Sequence, residues 1–262
     1  MDKDKFVELH RYDARAQLQL SAFQEGSVAD MFGSNTMSLY LRAPYIYYER
    51  QVADLIKPHH RVLELGAGTG VHTWALIQTG AQVTATDISP VSLNLLKQRI
   101  NSAGGDVATQ VADMESLPFK DRSFDVVTCA GSLSYGEPAL VDAEIKRVLR
   151  HGGSLICVDS LNNNPIYRFN RWLQCRRGSR TRSTYQRIPD YVRIHELSRL
   201  FMSDDVCYFG TITFVMPLVA RMFGQHHARI FSDFIDRIFG VRCSAFKFVL
   251  VARDLQKGNL II

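Results

Sequence analysis

Three glycines stand at alternate positions behind an apolar run, where they could hold a polar ligand. Gly66, Gly68 and Gly70 follow the run that ends at Leu65. Glycine tolerates a positive φ and lets a ligand approach the main chain where a Cβ would block it. A glycine turn that opens a helix also points free N–H groups at such a ligand. The same pattern is typical of a tight turn without a ligand, so the neighbouring residues must decide.

Strand and helix patterns alternate around these glycines from Arg61 to Asp159. Alternating aliphatic runs predict strands, and apolar residues on one helical face predict helices. Strands are predicted over residues 61–65, 82–87, 107–111, 124–130 and 154–158, and helices over 71–77, 90–100 and 139–149. This alternation predicts a parallel sheet with helices on both faces.

Four features meet at one edge of that predicted sheet. The glycine turn follows the first strand, Asp87 ends the second, Asp113 closes the third, and residues 130–135 follow the fourth. In sheets of this kind ligands bind outside the carboxyl ends of the strands. The convergence is more specific than the glycines alone and predicts a ligand site at this edge.

The flanking segments complete the predicted architecture. Helical patterns precede the first strand, and the last part of the chain holds strands at 206–214 and 245–252. Between these two strands the apolar stretch 215–239 resembles two amphipathic helices. The predicted fold is α/β, a doubly wound sheet of seven mostly parallel strands with insertions after strands five and six. Its parts are a helical N-terminal cap (1–57), a core (58–160) and a lid segment with the completing strands (161–262).

Composition excludes several classes of protein. The 262 residues include 46% hydrophobic and 22% charged ones, which is ordinary for a soluble globular protein. The five cysteines are scattered without a CxxC pair, so neither a disulfide framework nor a zinc site is indicated. The N-terminus shows no secretory signal, and no apolar run reaches the ~18 residues of a membrane span. We therefore expect a cytoplasmic protein without a metal.

Two classes of α/β fold share glycines after strand one and an acid after strand two. A dinucleotide-binding domain requires a further glycine where this chain has Val71. The chain instead resembles the class I S-adenosylmethionine-dependent methyltransferases, in particular small-molecule or glycan enzymes of type 11 or type 25, which have a Rossmann-like fold. The resemblance covers about residues 45 to 160. It is carried by Glu64–Gly70, Asp87, Ala112–Met114, Leu117–Phe119 with Phe124–Val127, and Glu144–Gly153.

The resemblance implies that S-adenosylmethionine (SAM) binds at this edge of the sheet. Asp87 would accept both ribose hydroxyls, and Asp113 the adenine amino group while Met114 packs on the ring. Glu64 would receive the ammonium group, or would instead cap the N–H groups of the turn; Asp113 has a helix cap as its alternative. The implied cofactor-binding residues are Glu64, Gly66, Ala67, Gly68, Gly70, Asp87, Ile88, Asp113, Met114 and Ala130.

Methyl transfer requires an acceptor held in line with the sulfur of the donor, and a hydroxyl acceptor also needs a base. Tyr135, just past strand four, and His195, in a helix predicted over 193–201, are the candidate catalytic residues. Their alternatives are a packed loop aromatic for Tyr135 and a surface position for His195. Amino-group methylators often carry two prolines and an aromatic residue after strand four, and this chain lacks them there. Oxygen is therefore the expected acceptor atom.

Much of the net charge of +5 comes from one segment, residues 160–189, which holds seven arginines and no acid. Guanidinium groups match phosphate and carboxylate, so we expect Arg168, Arg171 and Arg176 to bind an anionic acceptor. The segment would then form a lid, with a solvated flap as its alternative. Together with the apolar stretch 215–239, it suggests an amphiphilic small-molecule or glycan acceptor, such as a glycan carried on lipid, and peripheral membrane contact.

Two other functions are compatible with the sequence. Aromatic residues interleave with the arginines, a combination that also binds RNA, so an RNA methyltransferase is one alternative. The lack of an unambiguous base permits a SAM-binding protein without turnover. A steep salt dependence of RNA affinity would favour the first alternative.

Overall fold

The computed structural model describes residues 3–24, 32, 37–178, 181–238 and 242–256. Within these ranges seven strands form one sheet, in the order β3-β2-β1-β4-β5-β7-β6. The strands are β1 (Arg61–Leu65), β2 (Gln82–Asp87), β3 (Ala108–Val111), β4 (Phe124–Ala130), β5 (Leu149–Ser160), β6 (Phe201–Phe209) and β7 (Lys247–Leu255). The helices are α1 (Lys3–Gln24), α2 (Ala43–Leu55), α3 (Thr73–Ile77), α4 (Pro90–Ser102), α5 (Pro138–Val148), α6 (Pro165–Arg176), α7 (Arg182–Gln186), α8 (Tyr191–Ser198), α9 (Met216–Phe223) and α10 (Gln225–Ile238).

Strand direction confirms the prediction of a mostly parallel sheet. Strands β1 to β5 pair in parallel, and β7 lies antiparallel between β5 and β6. The strand order reverses between β1 and β4, because the chain moves outward to β3 before it returns. In open sheets such a reversal opens a crevice at the carboxyl ends of the two strands. The sheet topology therefore places the glycine turn after β1 beside that crevice.

The central strands are buried on both faces. Val62 and Leu63 point to opposite faces of β1, and both are fully buried. Leu63 packs in the hydrophobic cluster that contains Ile145 of α5, whereas Val62 packs in the cluster that contains Tyr48 of α2 and Leu96 of α4. Helices thus cover the sheet from both sides, as the near-continuous aliphatic character of these strands predicts.

The second half of the chain differs from the predicted boundaries. β5 begins at Leu149, before the glycine pair that was expected to precede it, and its pairing with β4 shifts register between Phe124 and Val126. Gly152 adopts φ 75° in this irregular stretch. β6 begins five residues before the predicted position 206, and its residues 202–205 are exposed. An exposed edge strand has no hydrophobic pattern to reveal it, because pairing with the buried β7 is what forms it.

Candidate active site

The three glycines of the turn have different structural roles. All three adopt positive φ, at 64° for Gly66, 55° for Gly68 and 83° for Gly70. A Cβ on Gly66 would lie 2.4 Å from Cβ of Ser132, and one on Gly70 would lie 2.8 Å from Cγ of Leu96. A Cβ on Gly68 would meet nothing within 4 Å. Gly66 and Gly70 therefore permit close packing, whereas Gly68 faces open space.

That open space is a cavity of about 400 Å³ at the carboxyl ends of the parallel strands. Its floor consists of the glycine turn and the ends of β2, β3, β4 and β5. Helices α1 and α7 contribute the opposite wall. The topology thus brings together the segments that the sequence placed at one edge of the sheet. The predicted residues that line this cavity are Gly66, Ala67, Gly68, Asp87, Ile88, Asp113, Met114, Ala130 and Tyr135.

Two predicted cofactor residues lie behind the cavity instead of lining it. Gly70 is buried against Leu96, so it serves the packing of the turn on α4. Glu64 is buried beneath the turn and accepts a hydrogen bond of 2.7 Å from Thr73 Oγ1. Burial raises the pKa of Glu64 to about 7, although the bond from Thr73 opposes this shift. Glu64 therefore bonds to the first residue of α3, and it neither lines the cavity nor accepts an N–H group of the turn among the hydrogen bonds of the described residues.

Hydrogen bonds orient the two aspartates at the strand ends. The main-chain N–H groups of Gly68 and Ser89 donate to the Asp87 carboxylate over 2.9 and 2.8 Å. Burial nevertheless raises the pKa of Asp87 above its ordinary value. Asp113 Oδ1 accepts from the N–H of Glu115 at 3.0 Å within a turn, and no helix begins there, so the bond is not a helix cap. Both side chains also line the cavity, so the local hydrogen bonds hold them in place for a ligand.

Helix α1 covers the cavity and was foreseen only as part of a helical cap. Its Tyr12 hydroxyl contacts the hydroxyl of Tyr135, and the two rings meet edge to face at 5.4 Å. Asp13 accepts a hydrogen bond of 2.5 Å from Ser89 Oγ at the start of α4. Glu8 accepts one of 2.9 Å from Thr181 Oγ1 before α7. Because these contacts reach the loop after β4 and the N-cap residues of α4 and α7, α1 covers the cavity, and we call it the lid.

The arginine-rich segment contributes to the cavity through residues other than the expected ones. Arg168 and Arg176 are exposed on α6, outside the cavity. Arg171 is buried and donates to the carbonyl of Leu161 at 2.7 Å, so it supports the loop after β5. Arg187 does line the cavity. Thus the part of the segment after residue 181 lines the cavity; Arg180 lies outside the described residues.

The histidine at the cavity is His72, and the sequence analysis passed it over. His195 is exposed on α8 and does not line the cavity. His72 lines it two residues after Gly70, a position that could have made it a candidate in the sequence. Its Nδ1 is buried 3.5 Å from Glu49 Oε1 of α2, and its ring stacks on Tyr45 with centroids 4.8 Å apart. This leaves Nε2 as the nitrogen that can reach the cavity.

A buried cation stands where β7 crosses the end of β5. Lys247 pairs with Ser160 in the antiparallel register, and its Nζ lies 3.5 Å from Ser160 Oγ and 5.0 Å from the ring centre of Tyr45. Asp159 accepts the main-chain N–H of Leu133 at 2.9 Å, and burial raises its pKa while Lys247 opposes the rise. Lys247, Asp159 and His72 all line the cavity, so one wall can both bind an anion and exchange a proton.

Part of the chain matches a known family and several known proteins. Residues 63–157 match the family described as a methyltransferase domain. A demethylmenaquinone methyltransferase from Clavibacter sepedonicus is 41% identical over 111 residues, which are 41% of this chain and 44% of that protein. One from Corynebacterium glutamicum strain R is 36% identical over 153 residues, 54% of this chain and 62% of that protein. The chain thus spans about half the length of the curated relatives it matches.

Solved structures share the fold at low sequence identity. A geranyl diphosphate C-methyltransferase from Streptomyces coelicolor A3(2), in complex with Mg²⁺, geranyl diphosphate and S-adenosyl-L-homocysteine, has a TM-score of 0.58 at 16% identity and covers 82% of this chain and 80% of its own. The [4+2]-cyclase SpnF has a TM-score of 0.61 at 19% identity and covers 94% of both chains. These likenesses support the Rossmann-like architecture.

Proposed function

We propose that this chain, whose residues 63–157 match a methyltransferase domain, is a class I methyltransferase that methylates a small-molecule or glycan acceptor with SAM as the donor. The observation that carries the proposal is the convergence of the glycine turn, Asp87 and Asp113 on one cavity. These groups come from three different strand ends, and each faces the same space. A cavity of about 400 Å³ is within the usual range of small-molecule sites.

The residues present fit SAM as the donor, which supplies a methyl group already activated by a sulfonium. The open space at Gly68 allows the ligand to approach the main chain. Asp87, held by two N–H groups, would accept the ribose hydroxyls. Asp113 would accept the adenine amino group, and Met114 would pack on the ring. Tyr135 and Ala130 would bound the side of the cavity from which the methyl group leaves.

We assign the general base to His72, for an acceptor oxygen that carries a proton. Glu49 lies on the Nδ1 side of the ring, so it would keep that nitrogen protonated and leave Nε2 free to accept the acceptor's proton. The buried ammonium group of Lys247 would stabilise the oxyanion that forms. Arg187, which also pairs with Glu137 at 2.9 Å, is a further cation at the cavity and supports an anionic acceptor.

Carbon is a second candidate for the acceptor atom. Relatives are named for demethylmenaquinone and a structural neighbour for C-methylation of geranyl diphosphate. A deprotonated phenol or enol can attack through its oxygen or through the adjacent carbon. The pair of His72 and Lys247 would serve both reactions, because both begin with loss of the same proton.

An acceptor screen with methyl-labelled SAM tests the proposal. The acceptors are phenols, enols, anionic sugars and prenylated quinols, and the position of the label is read by mass spectrometry and NMR. Methylation of one class supports the proposal and distinguishes oxygen from carbon. SAM binding without turnover on any class would favour a binding protein instead. A chain that does not bind SAM at all would overturn the proposal.

A further inference from the structure

Helix α10 presents its apolar side chains to solvent. These residues recur three, four and seven or eight positions apart, which places them on one stripe of the helix. They are between 46 and 56% exposed. The stripe consists of Ile230, Phe231, Phe234 and Ile238.

The opposite side of α10 packs on the protein through small and polar residues. Ala228 and Ser232 are buried. The carboxylate of Asp236 accepts the main-chain N–H groups of Gly210 and Thr211 at 2.7 and 2.8 Å. A surface helix ordinarily turns its apolar side to the core. In α10 the polar side faces the protein and the apolar side faces solvent, and the hydrogen bonds of Asp236 stabilise this orientation.

Helix α9 extends this apolar surface. Leu218, Met222 and Phe223 are between 62 and 65% exposed. A groove of about 520 Å³ runs between the two helices, and its lining is apolar except for His227. The docking surface is defined by Leu218, Met222, Phe223, Ile230, Phe231, Phe234 and Ile238. Exposed apolar surfaces of this extent mark contacts with membranes or with other proteins.

Basic residues accompany the docking surface. Helices α9 and α10 contain Arg221, Arg229 and Arg237 against two acids. Asp236 faces the protein, and Asp233 lies 3.5 Å from Arg229. Arg221 and Arg237 have no ion pair within the part of the chain that the structure describes. The surface is therefore apolar with unneutralised positive charge beside it.

We propose that α9 and α10 dock on a membrane that carries anionic lipid. The apolar stripe would enter the boundary between headgroups and acyl chains, and the arginines would contact lipid phosphates. Helices that expose Phe, Leu and Ile to solvent and carry basic residues beside them are suited to binding at a membrane interface. Among the described residues no helix is long and apolar enough to cross a membrane. The contact is thus peripheral.

The positive charge beside the docking surface favours an anionic membrane over a second copy of the chain as its partner. A two-fold interface brings the same surface against itself, so arginines would meet arginines. An anionic membrane instead neutralises them. Helix α6 repeats the inversion, with Phe169 and Trp172 exposed while Arg171 is buried. The Tyr167 ring of α6 lies 6.2 Å from that of Phe214, just before α9, so these helix ends are adjacent.

The docking surface also lies near the cavity. Gln225 at the start of α10 accepts the N–H of Leu39 at 2.9 Å. Met37, two residues earlier, lines the cavity. An acceptor that partitions into the membrane would therefore have a short path to the site.

Vesicle sedimentation with the full chain tests the inference without any methylation assay. The vesicles consist of phosphatidylcholine alone or with about 30% phosphatidylglycerol, a composition that creates a negative surface. The protein should bind the anionic vesicles at least about tenfold more tightly than the neutral ones. Phe231→Ser with Phe234→Ser should lower binding to anionic vesicles at least about tenfold. Arg221→Gln with Arg237→Gln should remove most of the preference for anionic lipid.

A matched control is available at two exposed apolar residues elsewhere. Met202 and Val192 are 76 and 64% exposed, so Met202→Ser with Val192→Ser should leave vesicle binding unchanged. SAM affinity and circular dichroism establish that each variant is folded. Absence of binding by the wild-type chain, or equal losses in the control variant, would overturn the inference. So would a wild-type dimer in sedimentation velocity that Phe231→Ser with Phe234→Ser dissociates, because the surface would then join two copies.

Discussion

The ammonium group of Lys5 lies 2.6 Å from Oδ2 of Asp113, the carboxylate expected to bind the adenine amino group. Lys5 also lies 2.5 Å from Glu115 Oε2. A carboxylate has about four lone-pair sites, so Asp113 can hold Lys5 and a ligand together. Since Lys5 belongs to α1, this contact fastens the lid to the end of β3. The lid and the proposed adenine site thus share one carboxylate.

Lys5→Met should loosen the lid. We expect SAM to dissociate faster and its affinity to fall about two- to fivefold, the value of a partly exposed ion pair. Stopped-flow dissociation and calorimetry measure these quantities. Lys3→Met on the exposed side of the same helix is the control and should behave as wild type. Tighter SAM binding by Lys5→Met would mean that Lys5 competes with the ligand instead of closing over it.

Asp87→Ala should nearly abolish SAM binding while the chain stays folded. The carboxylate is aimed by the N–H groups of Gly68 and Ser89, and its loss removes charge-assisted bonds worth about 3 kcal/mol, roughly a hundredfold in affinity. Calorimetry on the folded variant measures this loss. Asp54→Ala, at an exposed position of α2, is the control. SAM affinity within a few-fold of wild type in Asp87→Ala would reject the ribose assignment.

Gly68→Ala and Gly104→Ala form a matched pair. Both glycines have positive φ, 55° and 78°, and a Cβ on either would meet nothing within 4 Å. Each substitution should therefore lower the free energy of unfolding by a similar amount, about 1 kcal/mol. Only Gly68→Ala should weaken SAM binding, because only Gly68 lines the cavity. Denaturant titration and calorimetry together check this; equal SAM affinities would place the ligand elsewhere.

His72→Asn should lower kcat about a hundredfold and leave SAM affinity within a few-fold of wild type. The reason is that Nε2 of His72 can reach the cavity, whereas the cofactor contacts assigned above come from other residues. Steady-state kinetics with the acceptor found in the screen provide the measurement. His195→Asn is the control, since this exposed histidine lies outside the cavity. A loss of kcat in His195→Asn but not in His72→Asn would reverse the assignment.

Glu64→Gln should change how stability depends on pH. The native chain keeps the Glu64 proton up to pH about 7, whereas the unfolded chain releases it near its ordinary pKa of 4.5. Between these values the native state binds more protons, so its free energy of unfolding falls as pH rises. Relative to Glu64→Gln, the wild type should lose up to about 3 kcal/mol between pH 4 and 8. Denaturant titrations across this range measure the difference, and parallel profiles would contradict the raised pKa.

Much of the fold was predictable because local patterns specify it. The aliphatic runs that form β1, β2 and β4 are mostly buried, and the boundaries of these three strands agree with the prediction. The glycine turn, Asp87 and Asp113 follow their strands directly, so a parallel topology is sufficient to bring them together. The start of edge strand β6 was misplaced because residues 202–205 are exposed and carry no apolar alternation.

The remaining parts of the site depend on contacts between distant segments. Lys5 and Asp113 are separated by 108 residues, and Tyr12 and Tyr135 by 123, so no local pattern links them. The sequence analysis assigned Arg168, Arg171 and Arg176 to the acceptor, yet Arg171 is buried against main chain, and Arg187 is the arginine of this segment that lines the cavity. The packing of α1 and α7 determines which side chains face the cavity.

Helix α10 also combines a feature that the local sequence predicts with one that only tertiary contacts decide. Its period of apolar residues was sufficient to predict an amphipathic helix within 215–239. Periodicity determines which side chains share a face, because it reflects only the rotation per residue. Which face meets the protein depends on the partners available: here Asp236 finds the N–H groups of Gly210 and Thr211, and the apolar side turns outward.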